Sequence, residues 1–265
     1  MLQPFYRILI ELTNGKISSG ALMRFSRSKW SRPFISGYAK VYNINKEEID
    51  GDIGSFPTLH DLFTRRLKSG ARGISDLESV VVSPVDGVLE DYGKITRDKQ
   101  ITVKGKVYSV GEMLGDGTTV TKYIDGKYII LYLSPSHYHR IHAPVEGEVT
   151  NRWVIGKKSF PVNRLGMKYG RSPLSKNYRN ITEVKHGSGH VAVVKVGAMF
   201  VNSIVITDET SSLSRGQEFA YFSFGSTVVL LFEKDTFTIA DGLTVPTDVR
   251  VGERIGILMK KNDGK

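Results

Sequence analysis

The sequence predicts an α+β fold in which N-terminal amphipathic helices precede a mainly antiparallel β body. Apolar residues recur at helical spacing over the first 40 residues, and runs of β-branched and aromatic residues, separated by turn signals, begin near residue 79. Strands and helices do not alternate strictly, which argues against a doubly wound parallel sheet. At 265 residues the chain is long enough to bury a sizeable core.

The N-terminal segment combines apolar stripes with positive charge. Residues 1–40 carry seven basic side chains and one acidic one, so +6 of the chain's net charge of +10 lies there. Such a segment suits a helix on an anionic membrane surface, or amphipathic helices packed on the body with basic faces in water. No nucleic-acid-binding motif accompanies the charge, so no nucleic-acid partner is expected. The apolar residues at helical spacing are Phe5, Ile8, Leu9, Leu12, Ile17, Ala21, Leu22 and Phe25.

The remaining elements follow from local patterns. Strands are predicted at 80–82, 101–103, 128–133, 191–196, 203–207 and 227–232. A helix is expected over residues 55–70, with Ser55 or Thr58 as its N-cap and Gly70 as its end. The longest purely apolar runs, 128–133 and 228–232, are too short to span a membrane, and no signal-peptide pattern is present. The absence of cysteine excludes disulfides and a cysteine nucleophile.

Three histidines follow the predicted strand that ends at Leu133. His137 and His139 are alternate residues, which share a face in an extended chain, and His142 lies just beyond them. A metal site lacks an obvious fourth ligand, and a purely structural role for all three histidines remains open. General acid–base chemistry is the favoured interpretation, because the imidazole pKa lies near working pH.

Two further sites could carry chemistry. Asp86-Gly87 ends an apolar strand, where the aspartate is either a plain turn residue or an acceptor that orients a histidine ring. Gly225-Ser226 precedes another strand and is either a simple strand entry or a place where a hydroxyl attacks its own backbone. The α/β-hydrolase nucleophile elbow is disfavoured, because Phe224 and Val228 occupy the positions that require glycine.

Together these stretches resemble the signature set of phosphatidylserine decarboxylase proenzymes of the bacterial, pyruvoyl-dependent type. The resemblance runs in order from about Ser55 to about Ile257, and the conjunction is more specific than any single motif. Two departures are Phe224, where many members have leucine, and Asn202-Ser203, where relatives often have glycine. The motifs are Pro84-Val85-Asp86-Gly87, Tyr138-His139-Arg140-Ile141-His142-Ala143-Pro144, Phe160-Pro161-Val162-Asn163, Asn177-Tyr178-Arg179-Asn180, Val196-Gly197-Ala198, Gly216-Gln217-Glu218 and Phe224-Gly225-Ser226-Thr227.

The resemblance implies a self-cleaving precursor. Asp86, His142 and Ser226 would form the cleavage triad, in which Asp86 fixes the imidazole tautomer and His142 takes the proton of the Ser226 hydroxyl. Cleavage between Gly225 and Ser226 would give a β chain of residues 1–225 and an α chain of residues 226–265, with Ser226 converted to a covalent pyruvoyl group. His139 would return a proton to the substrate during decarboxylation, and no metal is implied.

The resemblance also implies a substrate, a location and partners. The enzyme would form a Schiff base with phosphatidylserine and release phosphatidylethanolamine and CO2 at the membrane surface. It would be peripheral on the cytoplasmic face of the cytoplasmic membrane, with residues 1–50 as a membrane-associating helical segment on an anionic surface and residues 51–265 as the catalytic decarboxylase domain. Relatives suggest a dimer of processed protomers.

Three other functions stay open at this point. The first is a pyruvoyl-dependent decarboxylase of another amino-acid substrate. The second is a Ser-His-Asp hydrolase that uses Asp86, His142 and Ser226 on external esters. The third is a non-catalytic membrane-binding protein with a degenerate site.

Overall fold

The computed structural model describes residues 16–77, 79–115, 117–157, 160, 162, 172–198, 204–223 and 226–259. Within these ranges the strands dominate and every strand pair is antiparallel, which confirms the predicted α+β class with a mainly antiparallel body. The α-helices are α1 (Lys16–Ser26), α2 (Ile35–Val41), α3 (Leu59–Phe63), α4 (Val110–Leu114) and α5 (Pro173–Lys176). Short 3-10 helices span Lys29–Phe34, Ile53–Ser55 and Thr119–Tyr123.

The strands fall into one large sheet and three small ones. The bounds are β1 (Val80–Val82), β2 (Gly87–Lys94), β3 (Gln100–Val103), β4 (Lys106–Ser109), β5 (Lys127–Leu133), β6 (Arg140–His142), β7 (Gly147–Ile155), β8 (Arg179–His186), β9 (Gly189–Gly197), β10 (Ile204–Ile206), β11 (Ser212–Leu213), β12 (Glu218–Phe222), β13 (Ser226–Phe232), β14 (Phe237–Ile239), β15 (Thr247–Val249) and β16 (Arg254–Leu258). The eight-stranded sheet has the order β11-β7-β8-β9-β13-β5-β2-β15, two three-stranded sheets have the orders β1-β16-β14 and β10-β12-β6, and β3 pairs with β4.

Strand β13 lies at the centre of the large sheet, between β5 and β9, and all seven of its residues are buried. Its continuous apolar run has no polar alternation because both faces of the sheet are covered. Val228, Leu230 and Phe232 join the core between the large sheet and the two three-stranded sheets. Val229 and Leu231 join a second core on the opposite face. Alternation therefore places the Ser226 side chain on the first face, toward the sheet that contains β6.

Helix α3 confirms one part of the N-terminal prediction and corrects another. Thr58 is the N-cap, since its Oγ1 accepts from the backbone N–H of Asp61 at 3.2 Å. The predicted end at Gly70 is wrong, because the helix ends at Phe63. Residues beyond it pair instead with the preceding chain: Lys68 N–H donates to the Glu48 carbonyl at 2.9 Å, and Ile49 forms a β-bridge with Leu67.

The other N-terminal predictions have mixed outcomes. Helix α1 contains Ile17, Ala21, Leu22 and Phe25, as the periodicity predicted. The predicted helix over Phe5–Leu12 lies outside the described residues. Helices α2 and α3 and the 3-10 helix Ile53–Ser55 contribute to a third small core, with Ile35, Ile49 and Leu62 among its members. Among the described residues no helix is long and apolar enough to cross a membrane.

Candidate active site

Ser226 is the first residue of β13, and its backbone lies opposite Leu133 of β5 and Gly197 of β9. The residue is fully buried, and its Oγ has no hydrogen-bond partner in the described structure. Burying a hydroxyl without a hydrogen-bond partner costs free energy, so such a group calls for an explanation, and a catalytic role is one. Gly225, and with it the predicted scissile bond, lies outside the described residues.

His142 lies on β6, which belongs to the sheet that covers the Ser226 face. Its Nδ1 is 2.7 Å from the carbonyl oxygen of Gly216. Because a carbonyl only accepts, Nδ1 carries the proton and Nε2 of a neutral ring is the free lone pair. Burial lowers the pKa of His142, although the bond to Gly216 opposes that shift. The ring is thus in the form that a general base requires, with the Tyr138 hydroxyl 3.4 Å from Nε2.

His139 has the same tautomer and is buried more deeply. Its Nδ1 is 2.8 Å from the carbonyl oxygen of His137, and its Nε2 is buried without a partner in the described structure. Burial, followed by the charge of Arg65, holds the pKa of His139 well below its usual range. The Phe63 ring lies against the imidazole, with centroids 3.8 Å apart. His139 therefore presents an unprotonated Nε2 with which no described group forms a hydrogen bond.

Asp86 is buried, but it does not bond to His142 among the described hydrogen bonds. Its Oδ1 accepts from Arg72 Nε and from Val251 N–H, both at 2.9 Å, and its Oδ2 accepts from Arg72 Nη2. The predicted tautomer-fixing contact is made by the Gly216 carbonyl instead. The following Gly87 has no room for a side chain, since a Cβ there would lie 2.6 Å from the Tyr132 carbonyl oxygen.

The structure also defines the place of His137. Its Nδ1 accepts from the backbone N–H of Ser134 at 2.9 Å, which closes the turn between β5 and β6. This turn covers residues 134–137, and neither His137 nor His139 lies on a strand, so the shared strand face considered for them is not formed. Within the described residues no group of three or more histidine or acidic side chains is placed to hold a metal ion.

Four contributors to this region were missed by sequence reasoning: Phe63, Arg65, Arg72 and the carbonyl of Gly216. Arg72 contacts Asp86 across 14 residues, and Gly216 contacts His142 across 74. No local spacing marks such contacts, because they are created by tertiary packing. Of these four, Gly216 alone lies in one of the family motifs, Gly216-Gln217-Glu218, and that motif implies no role for its carbonyl.

The groups of this site are those of an enzyme: a buried serine hydroxyl without a described partner, and two histidine rings whose Nδ1 atoms carry the proton. A family profile described as phosphatidylserine decarboxylase matches residues 59–257. Proteins named phosphatidylserine decarboxylase proenzyme are similar over nearly the whole chain. The one from Anoxybacillus flavithermus is 57% identical over 261 residues, covering 98% of each chain.

Two Geobacillus relatives with the same name agree. The protein of Geobacillus sp. strain WCH70 is 54% identical over 258 residues, covering 97% of this chain and 100% of the relative. That of Geobacillus kaustophilus is 53% identical over 256 residues, covering 97% of each. The chain belongs to the phosphatidylserine decarboxylase family, and it is a decarboxylase, that is, a carboxy-lyase.

Proposed function

We propose that this chain is a self-processing, pyruvoyl-dependent enzyme that converts phosphatidylserine to phosphatidylethanolamine and CO2 at a membrane surface. The observation that carries the proposal is the fully buried Ser226 hydroxyl, which has no partner in the described structure, at the start of the central strand β13. The two histidines whose Nδ1 atoms contact backbone carbonyls supply the bases that the proposal needs. The word proenzyme in the names of the relatives supports a processed product.

Self-cleavage uses Ser226 and His142. Nε2 of His142 takes the hydroxyl proton, and Oγ attacks the carbonyl carbon of Gly225, so that an ester replaces the peptide bond and the Ser226 nitrogen becomes an amine. Removal of the Ser226 α-proton then expels the Gly225 carboxylate and leaves dehydroalanine. Water converts that group to a pyruvoyl group with release of ammonia. Asp86 serves as the fixed negative charge near the imidazolium, since its charge raises the pKa of His142.

The pyruvoyl ketone supplies an electron sink for loss of CO2, through a Schiff base with the substrate amine. The chain's own groups supply the proton transfers. A lipid ammonium must lose a proton before it can act as a nucleophile, and the free Nε2 of His139 is able to accept it. The same nitrogen then returns the proton to the carbon that has lost CO2.

The membrane location is supported by the 3-10 helix Lys29–Phe34. Trp30 is 83% exposed and Phe34 is 58% exposed, and the basic residues Lys29 and Arg32 lie on the same short element. Aromatic side chains flanked by cations suit the interface of an anionic bilayer. We therefore propose a peripheral enzyme on the cytoplasmic face of the membrane.

The oligomeric state is a separate matter, and a dimer of processed protomers stays a prediction from the resemblance.

Intact mass spectrometry of the purified, active protein tests the proposal. The expected result is two chains, residues 1–225 and residues 226–265, with a blocked N-terminus on the smaller one. A single uncleaved chain in active protein contradicts the pyruvoyl mechanism and favours the hydrolase alternative.

A substrate assay separates phosphatidylserine from other amino-acid substrates. It compares the rate of CO2 release from phosphatidylserine in liposomes with the rate from water-soluble serine compounds.

A further inference from the structure

The segment of residues 58–72, called here the bridging segment, covers the proposed proton-transfer residue His139. Phe63 at the end of α3 is 2% exposed, and its ring is tilted by 37° against the imidazole at 3.8 Å. Thr64 and Arg65 also accept hydrogen bonds from Arg140 at their carbonyls, at 3.1 and 3.4 Å. The bridging segment thus forms one wall of the region around β6.

Arg65 contacts the turn that carries His139. The residue is 4% exposed, and its Nη2 donates to the carbonyl oxygens of Ser136 at 2.8 Å and His137 at 3.1 Å. The His137 carbonyl also accepts from Nδ1 of His139, at 2.8 Å. One carbonyl oxygen therefore joins the guanidinium to the imidazole.

No carboxylate contacts the Arg65 guanidinium directly in the described structure, although burial lowers its pKa and the charge of Asp86 raises it from a distance. Its hydrogen bonds in the described structure go to backbone carbonyls, including that of Leu62 at 3.3 Å, and it forms no salt bridge there. Burying a guanidinium without a carboxylate in hydrogen-bond contact is costly, so a purely structural role for Arg65 leaves that cost unexplained. A role in positioning His139 through the His137 carbonyl would account for this cost.

We propose that Arg65 is a positioning residue for His139: it holds the His137 carbonyl in place, so that Nδ1 carries the ring proton and Nε2 is left free to take one. This inference rests on the proposed function, in which Nε2 accepts the proton of the substrate ammonium and returns it to the substrate carbon. No atom is gained or lost by the protein over the cycle.

The electrostatics support the same role. Burial lowers the pKa of His139 most, and the positive charge of Arg65 lowers it further. Hydrogen bonding to the His137 carbonyl raises it, and the charge on a protonated His137 ring lowers it. Two further contacts of His139 within the described ranges are uncharged: the Phe63 ring from α3 and the Phe222 N–H from β12, which donates to the His139 carbonyl at 2.9 Å.

The test compares Arg65→Gln with Arg66→Gln in the processed enzyme. Arg66 is the adjacent residue and is exposed, so its variant removes the same charge without the buried contacts. Both variants should still be cleaved between Gly225 and Ser226. Arg65→Gln should lower kcat on phosphatidylserine vesicles roughly tenfold or more, with a smaller change in KM. Loss of the nearby cation raises the pKa of His139, so the acid limb of its kcat–pH profile should move to higher pH. Arg66→Gln should match the unmodified enzyme.

Arg65→Lys and a spectroscopic measurement keep the inference falsifiable if Arg65→Gln does not fold. The lysine keeps the charge but cannot bond to both carbonyls from one planar group, so kcat should fall while the acid limb stays in place. In the uncleaved Ser226→Ala protein with 15N-labelled histidine, His139 should be neutral with its proton on Nδ1. A proton on Nε2, or a pH profile of Arg65→Gln that equals that of Arg66→Gln, overturns the inference. An unmodified protein that is neither cleaved nor active instead overturns the proposed function.

Discussion

The carboxylate of Asp86 is bound on both oxygens by the guanidinium of Arg72, which also donates from Nη2 to Glu48 Oε2 at 2.9 Å. The side chains of Arg72 and Asp86 are 11% and 9% exposed. The guanidinium thus links the bridging segment and the chain before it to a residue of the proposed cleavage triad. Such a planar, two-point arrangement fixes the orientation of a carboxylate as well as its charge.

Removing this guanidinium should destabilise the protein strongly. Arg72→Ala leaves the Asp86 carboxylate buried without its main partner, and we expect a loss of about 3–5 kcal/mol of unfolding free energy. Urea unfolding in the uncleaved Ser226→Ala background measures it. Arg250→Ala is the control, because Arg250 is 59% exposed and contacts only Glu48 of this cluster, at 3.2 Å. Its loss should stay under about 1 kcal/mol. Equal losses in the two variants would contradict a special role for Arg72.

The two imidazoles should separate cleavage from decarboxylation. His142→Ala removes the base assigned to the Ser226 hydroxyl, so the chain should remain uncleaved, as should Ser226→Ala. His139→Ala should be cleaved normally yet decarboxylate at least about a hundredfold more slowly, the usual effect of losing a general acid–base group. Gel analysis follows cleavage, and release of labelled CO2 follows turnover. If His139→Ala remains uncleaved, this division of roles is wrong.

The pH dependence of cleavage should reflect the lowered pKa of His142. A general base acts in its unprotonated form, and burial keeps the ring unprotonated to lower pH than an exposed histidine. As pH falls, the rate of cleavage of freshly synthesised chain should therefore reach half its maximum below about pH 6.5, the ordinary histidine value. Pulse–chase measurements between mildly acidic and neutral buffers test this. A rate that already halves near neutral pH would contradict it.

Local patterns predicted the central strands of the large sheet well, because those strands are largely buried and rich in β-branched and aromatic residues, whereas β7 and β8 were not predicted. β5, β9 and β13 were each predicted within two residues of their observed bounds at either end. The end of α3 was not predicted, since residues 66–68 exchange backbone hydrogen bonds with residues 48–50. Helical propensity is a local property, so it does not include the competing hydrogen bonds with residues 48–50.

In the candidate site too, local sequence identified some features and tertiary contacts decided the others. The residues His139, His142, Asp86 and Ser226 could be named from motifs, but their partners could not. The sequence offered Asp86 as the acceptor for His142 because aspartate often fills that place, whereas in the structure a backbone carbonyl does so. Any residue supplies a carbonyl, so this contact leaves no trace in the side-chain pattern.

Asn177 should hold the strand end opposite Ser226. It is fully buried; its Nδ2 donates to the carbonyls of Gly197 at 2.8 Å and Phe160 at 2.7 Å, and its Oδ1 accepts from Phe160 N–H at 2.9 Å. Asn177→Ala leaves these groups unpaired and should cost at least about 2 kcal/mol and slow cleavage. Asn177→Asp should be worse at neutral pH, because a carboxylate cannot donate to either carbonyl. Asn151→Ala, at an exposed site on β7, is the control and should change neither quantity.

Lys195 should be a net cost to stability. Its side chain is fully buried on β9, its Nζ donates to Thr182 Oγ1 at 2.7 Å, and burial holds its pKa well below the usual value. A lysine whose folded-state pKa is depressed destabilises the fold below its unfolded pKa, and the penalty shrinks as pH rises toward that value. Lys195→Met should therefore stabilise the Ser226→Ala chain by about 1–4 kcal/mol at pH 7. The difference between the two chains should narrow by pH 9.5. A gap that widens with pH would contradict a neutral, buried amine.

Membrane docking through the 3-10 helix Lys29–Phe34 should depend on its exposed aromatic residues. Trp30 and Phe34 are both largely exposed, and the Phe34 ring meets that of Phe25 edge-on, with centroids 5.7 Å apart. Alanine at Trp30 or Phe34 should therefore cost little folding free energy. Each substitution removes apolar area that would enter the bilayer, and binding to anionic vesicles should weaken roughly tenfold.

The control for docking is Val107→Ala on β4, which removes an apolar side chain that is 52% exposed outside the basic segment. Vesicle co-sedimentation should show no change for this variant. High salt should weaken binding of the unmodified protein, because the surrounding cations act through screened attraction to anionic lipid. Equal loss of binding in Val107→Ala and Trp30→Ala would place the membrane contact elsewhere on the molecule.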